Sequence, residues 1–142
     1  MIKKIINILL YIWQLPQHLL ALILWLLYCR KKPVATYKHC KIYKIAVKYF
    51  SGVSLGNYII LDEIYFSQRH YDFTIKHEYG HSRQSRMLGI FYLIAVGIPS
   101  IFNNLMARVS DYYYNNYYLL YPEKWANKLG NVTSENDKNI NL

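Results

Sequence analysis

The segment His77-Glu78-Tyr79-Gly80-His81 sets two imidazoles four residues apart, with a carboxylate beside the first. On an α-helix, positions four apart share a face, so both rings can reach one zinc ion. Glu78 lies about 100° further round, where its carboxylate can take a proton from water on that ion. Zinc lowers the pKa of such a water from near 16 to about 7, which makes a nucleophile at neutral pH. With five His and four Glu in the chain, chance placement gives the pattern roughly once in two hundred such sequences.

A catalytic zinc takes three protein ligands and leaves a position open. No histidine follows His81, and Leu61-Asp62 precedes the motif and lacks a following Gly. His70, Asp62 and Asp72 are nearby, but none shares a helix face with a group that could steady a ligand imidazole. Glu123 does: in Pro122-Glu123-Lys124-Trp125-Ala126-Asn127 it stands four residues before Asn127. One of the two can bind the metal while the other steadies a ligand imidazole. A first-turn carboxylate is also favoured by the helix dipole alone.

These segments resemble the gluzincin zinc metallopeptidases, in which H-E-x-x-H is followed some tens of residues later by E-x-x-A-D/N. More closely, IWQLPQ, GVSLGNYIIL, HEYGH followed by Gln84-Ser85-Arg86 and Leu88-Gly89, GIPS, and Tyr121 to Glu123 with EKWANKLG look like a group of small bacterial membrane-associated metallopeptidase-like proteins. The likeness covers most of residues 12–130. It implies His77, His81 and Glu123 as zinc ligands, Glu78 as catalytic base, and Asn127 as support for a ligand imidazole. Two departures stand out: Asn127 replaces the usual Asp, and Pro122 stands where the group prefers Thr. An amide still accepts a hydrogen bond from an imidazole but adds no charge, which lowers ligand basicity and metal affinity.

The elements that must position these groups follow from composition and period. The chain has 142 residues, 54% of them hydrophobic and 17% aromatic, with a net charge of +9. That size admits one domain, or one domain and an anchor, and the composition excludes disorder. Ile8 to Cys29 is apolar over the ~20 residues that cross a bilayer. Trp25, Tyr28 and Arg30-Lys31-Lys32 close it, where a signal peptide would have small residues. Asn7, Tyr11, Gln14, His18 and Trp25 form a stripe that should face protein, and Pro16 can kink the helix. A helix lying in the interface plane is the other geometry. Lysines and arginines after the span place the remainder on the cytoplasmic side, by implication of a bacterial inner membrane. Much of the charge is thereby explained, and no base-reading motif points to nucleic acid. Cys29 and Cys40 lack metal or disulfide spacing and read as reduced, buried residues.

Lys41–Tyr49 alternates with period two and Val53–Leu61 is a second apolar run, so the two suggest a hairpin turning at Ser51-Gly52. Residues 64–71 read as loop. A helix from Asp72, capped by Asp72 or Thr74, carries the histidines to Gly89. His81 and Glu123 must meet on one side of any membrane, so Ile90–Phe102 is a core helix or a dip into one leaflet. Asp111–Tyr121 reads as an amphipathic tyrosine-rich helix or interfacial belt. Pro122 opens a last helix that Gly130 can end. The expectation is a mostly helical α+β fold: a membrane-anchoring helix (1–32), a zinc metallopeptidase-like domain (33–130) and a polar tail (131–142). The expected function is Zn2+-dependent hydrolysis of a peptide or protein substrate, with membrane lipid as neighbour. The Leu55–Leu61 strand could hold an extended peptide by edge pairing. The competing class is a non-enzymatic membrane-bound binding or regulatory protein with a structural or vestigial metal site.

Overall fold

The computed structural model describes residues 2–47, 50–66 and 68–132, with the side chains of 68–70 excepted. The C-terminal tail from 133, Lys48 and Tyr49 of the expected strand, Ser67 and the side chain of His70 lie outside them. The fold is α+β and mostly helical, around one four-stranded mixed sheet.

The apolar N-terminus is two helices, not one. Helix α1 (Ile2–Trp13) and α2 (Leu15–Leu24), which continues as a π-helical turn to Cys29, meet at a 73° bend. Pro16 sits in the first turn of α2, where its missing N–H costs nothing. No single helix is long and apolar enough to cross a membrane among the described residues. The expected stripe divides: Gln14 and His18 are buried against the rest of the chain, Trp25 is half-buried, and Asn7 and Tyr11 stay exposed; Gln17, outside the stripe, is buried as well.

The sheet corrects the hairpin reading. Strands β1 (Ala35–Tyr37), β2 (Cys40–Ile45), β3 (Gly52–Leu55) and β4 (Tyr58–Asp62) lie in the order β1-β2-β4-β3. The run expected as one strand, Val53–Leu61, folds back on itself at Gly56-Asn57, because Gly56 adopts φ +63°, which β-branched neighbours resist. Its second half inserts beside β2 as a parallel partner. Ile59, Ile60 and Leu61 are fully buried, as expected for a central strand covered on both faces. One face packs Cys40, Ile42, Ile59 and Leu61 on Ile75; the other packs Ile45 and Ile60 on Cys29, Leu24 and Trp25. Cys29 and Cys40 are both free and buried.

Helix α3 (Gln68–Leu88) starts four residues before the expected Asp72. Asp72 is therefore interior, and its carboxylate pairs with Lys76 Nζ at 2.6 Å instead of capping the helix. Residues Glu63–Phe66 form a 3-10 turn. After α3 the chain passes through a π-helical turn (Leu93–Gly97) into α4 (Ile98–Ala107), then the short α5 (Asp111–Asn116) and α6 (Glu123–Gly130). Ile94, Ile98, Ile101 and Phe102 are exposed, so this stretch is not a core helix. Gly130 remains helical, and Asn131 takes the left-handed position after it.

Helices α3 and α6 touch backbone to backbone. A Cβ built on Gly80 would stand 1.9 Å from the Ala126 carbonyl oxygen. Alanine, worth about 1 kcal/mol over glycine in an ordinary helix interior, is sterically excluded here. The glycine inside H-E-x-x-H is what lets α6 bring its first residue to the histidines.

Candidate metal centre

Helix α3 delivers His77 and His81 one turn apart, and α6 delivers Glu123 from its first turn. Glu123 Oε2 lies 3.1 Å from His77 Nε2 and 2.9 Å from His81 Nε2. One ligand atom from each of the three residues falls within 4.8 Å of the others, so the buried group could hold a metal ion. Asn127 Oδ1, one turn beyond Glu123, is 2.7 Å from His77 Nδ1. The alternative carboxylates are engaged elsewhere. Asp62 accepts the backbone N–H groups of Val47 and Ile64, and Asp72 is held by Lys76.

The tautomer of His81 can be read from its neighbours. Gln84 Nε2 donates to the Pro122 carbonyl at 3.0 Å, which turns Gln84 Oε1 toward His81 Nδ1 at 2.7 Å. Nδ1 must then carry the proton, leaving the Nε2 lone pair aimed at Glu123. The Asn127 contact orders His77 in the same sense. Two such lone pairs and a carboxylate oxygen are three acceptors converging on one point. They call for a shared cation: a proton, which gives the His81–Glu123 ion pair, or a metal ion bound by two imidazoles and a carboxylate.

The electrostatics follow from this crowding. Burial alone would raise the pKa of Glu123, but hydrogen bonds to His77 and His81 outweigh it and hold the carboxyl well below the usual range. Burial would lower His81, and the bond to Glu123 reverses that. Glu78 shows the opposite balance: burial pushes it up, against the nearby His81 and His77. Glu78 Oε2 is buried with no hydrogen-bond partner, which suits a group that waits for a water or a substrate proton. Its Oε1 is 3.2 Å from where a Cβ on Gly52 would stand, so β3 passes directly beside it.

The site is more enclosed than the open cleft expected from a free coordination position. Glu123 is 0% exposed, and His77, His81 and Glu78 are at most 8%. The rings of Phe73 and Tyr118 contact His77. Tyr92 is buried, with its hydroxyl donating to the Ser54 carbonyl, and stands close enough to Glu78 and Glu123 for their charges to oppose its ionisation further.

Sequence reasoning missed two residues that complete this arrangement. Ser100, in α4, donates to Glu123 Oε1 at 2.6 Å and so leaves Oε2 for the histidines. Gln84 ties His81 to the carbonyl immediately before Glu123. Both belong to segments already noted, GIPS and the residues after HEYGH, but nothing local shows that the partner is a carboxylate 23 positions away or a backbone carbonyl 38 positions away. Their neighbours hold the frame. Ser85 Oγ donates to Gln14 Oε1 at 2.9 Å, Gln17 donates to the Gly89 carbonyl, and Ser82 Oγ donates to the Gly56 carbonyl at 2.6 Å.

Gln84 supplies a graded test. Gln84→Ala removes both contacts and is expected to weaken zinc binding about 10–100-fold, the usual cost of losing such support. Gln84→Glu keeps an acceptor for His81 but cannot donate to Pro122, so its affinity should fall between alanine and wild type. Competition with a chromophoric chelator measures both. An unchanged affinity in folded Gln84→Ala would refute the role.

No protein-family model, curated protein or solved structure matches the chain.

Proposed function

We propose that the chain is a membrane-associated zinc metallopeptidase of gluzincin type, with His77, His81 and Glu123 as ligands and Glu78 as general base. The observation that carries this reading is the convergence of three ligand atoms beside a buried carboxyl oxygen that has no partner. Three protein ligands of this type are the pattern of catalytic zinc, whereas structural sites close with four. The donor set is nitrogen and oxygen, and neither buried cysteine belongs to it. When bound, zinc supplies a Lewis acid for the peptide carbonyl and lowers the pKa of water.

The chain's own groups do the rest. Glu78 accepts the proton of the attacking water at its unpartnered oxygen and returns it to the leaving amine. A carboxyl raised by burial is better matched to that exchange near neutral pH than an ordinary one. Asn127 and Gln84 fix the imidazoles, and Ser100 fixes Glu123. The outer strand β3 runs past Glu78 at Gly52; with the Ser54 carbonyl taken by Tyr92, Gly52 is the point of its edge where an extended peptide would pair. This moves the peptide-holding role from Leu55–Leu61, most of which is turn or central strand.

Membrane association rests on α1, which has no buried residue although Ile2, Ile5, Ile6, Ile8, Leu9 and Ile12 all lie on it. A helix apolar on its exposed faces belongs in hydrocarbon. Together with α2 and its π-turn it has the length and apolar character of a broken span or a re-entrant loop, and the 73° bend favours the re-entrant form, with the pair in one leaflet. Lys31 and Lys32 after the pair favour the cytoplasmic leaflet.

The activity is tested with detergent-solubilised protein and a mixed peptide library read by mass spectrometry. Cleavage should vanish on chelation and return with added zinc. Cleavage that persists after complete metal removal would contradict the proposal.

A further inference from the structure

Two separate parts of this molecule have their polarity turned inside out. In α2 the polar residues Gln17 and His18 are buried while Leu19, Leu22 and Ile23 are exposed. The stretch Leu93–Ala107 repeats the inversion far along the sequence. Two of its polar residues face inward: Ser100 holds Glu123, and Asn103 Nδ2 donates to the Tyr121 carbonyl at 2.8 Å, while Asn104 accepts from Arg108 at the surface. Of its aliphatic residues Val96 is buried, but four face outward, with Ile94 69%, Ile98 62%, Ile101 63% and Leu105 54% exposed. Spacings of four, three and four put these on one helical stripe, and Ile90 extends it by one turn.

A water-facing helix shows the reverse pattern. Polar side chains turned toward protein and aliphatic ones turned outward are the arrangement found where the surroundings are hydrocarbon. The helices that lead into the two inverted regions meet: Ile90, one turn before the second, lines one groove with Ile6, Leu9, Leu10, Ile12 and Trp13 of α1, the helix before α2. Cations bracket the combined surface: Lys3 and Lys4 open α1, Arg30, Lys31 and Lys32 follow the π-turn, and Arg108 follows α4. That is where anionic headgroups would meet it.

We propose that Leu93–Ala107 is a second lipid-embedded element, seated in the same leaflet as the N-terminal helix pair. Fifteen helical residues reach about 22 Å at 1.5 Å each, less than the ~30 Å hydrocarbon core. The segment therefore lies along the interface and does not cross it. Because Ser100 on its inner face grips Glu123, the metal centre is held one helix below the lipid. The substrate class that fits is a polypeptide stretch at the bilayer surface, where an extended strand leaves the membrane. This rests on the membrane reading given above for α1 and α2.

The test uses the full chain in vesicles of phosphatidylethanolamine and phosphatidylglycerol that carry nitroxide-labelled lipid. Environment-sensitive fluorophores are attached to Ile5→Cys, Ile101→Cys and Leu105→Cys, all exposed positions; Cys29 and Cys40 are buried. Quenching at Ile101 and Leu105 comparable to that at Ile5 is the expected result. Quenching at Ile5 alone would overturn the second element while leaving the N-terminal anchor intact. No quenching at any position would overturn both. A probe at Ile101 that is shielded from water yet not quenched by lipid, together with a dimer in detergent, would assign the face to a second copy of the chain and overturn the proposal.

Discussion

Glu78→Gln is expected to bind zinc as wild type does and to lose peptide hydrolysis by about 10²–10⁴-fold, the usual contribution of a general base. The amide has nearly the same shape, so it fits the pocket between α3 and β3, but it cannot accept a proton at neutral pH. Glu78 is not among the three residues whose atoms converge, which is why metal content should be unaffected. The comparison separates the two classes of function left open by the sequence. A binding or regulatory protein with a structural metal would show no hydrolysis in the wild type for the substitution to remove. Wild-type rates in Glu78→Gln would exclude it as the base.

The second large effect is the loss of the ion itself. Glu123→Ala should reduce zinc content from near one per chain to a small fraction, since two histidines alone make an incomplete site. It also strands Ser100 and removes the partner that raises His81. Glu123→Gln is the control for folding. It keeps an oxygen for Ser100 to donate to and nearly the same volume, but withdraws the negative charge, so it should fold and still bind zinc weakly. Equal zinc content in wild type, Glu123→Ala and Glu123→Gln would remove Glu123 from the ligand set.

Much of the site was legible because its members follow helical spacing. Four residues separate His77 from His81 and Glu123 from Asn127, and both separations mean one face of one helix. The Glu123–histidine meeting needed one further inference, that a catalytic ion requires a third ligand. What could not be read are the partners set by packing between elements. Ser100 and Gln84 are ordinary polar residues until α4 and the Pro122 turn are brought against α3. The enclosure of the centre by Phe73 and Tyr118 was equally hidden, since aromatic residues serve a core, a lid or a membrane belt with the same local pattern.

The sheet failed for a different reason. Alternation identifies that a segment is extended but not which strand it pairs with, and Ile59-Ile60-Leu61 buries both faces, so no period survives there. The Gly56-Asn57 pair was the available signal for a tight turn; it was lost inside an apolar run that looked continuous. The start of α3 was placed late because Asp72 suited a cap. In the folded chain it serves equally well as the partner of Lys76 one turn on. At the N-terminus, apolar length alone suggested one span, whereas the break at Gln14 lets that residue bond Ser85 next to Gln84. The helix pair is thereby fastened to the helix that carries the histidines and is not a detached tether.

Zinc K-edge X-ray absorption on the purified, zinc-loaded full chain tests the central claim most directly. The account predicts one zinc per chain with only nitrogen and oxygen neighbours at about 2.0–2.2 Å, and two imidazole rings in the outer scattering. In Glu123→Ala the signal should fall with the metal content. A sulfur shell at about 2.3 Å, which would place the ion at Cys29 or Cys40, or zinc retained without imidazole scattering, would contradict it.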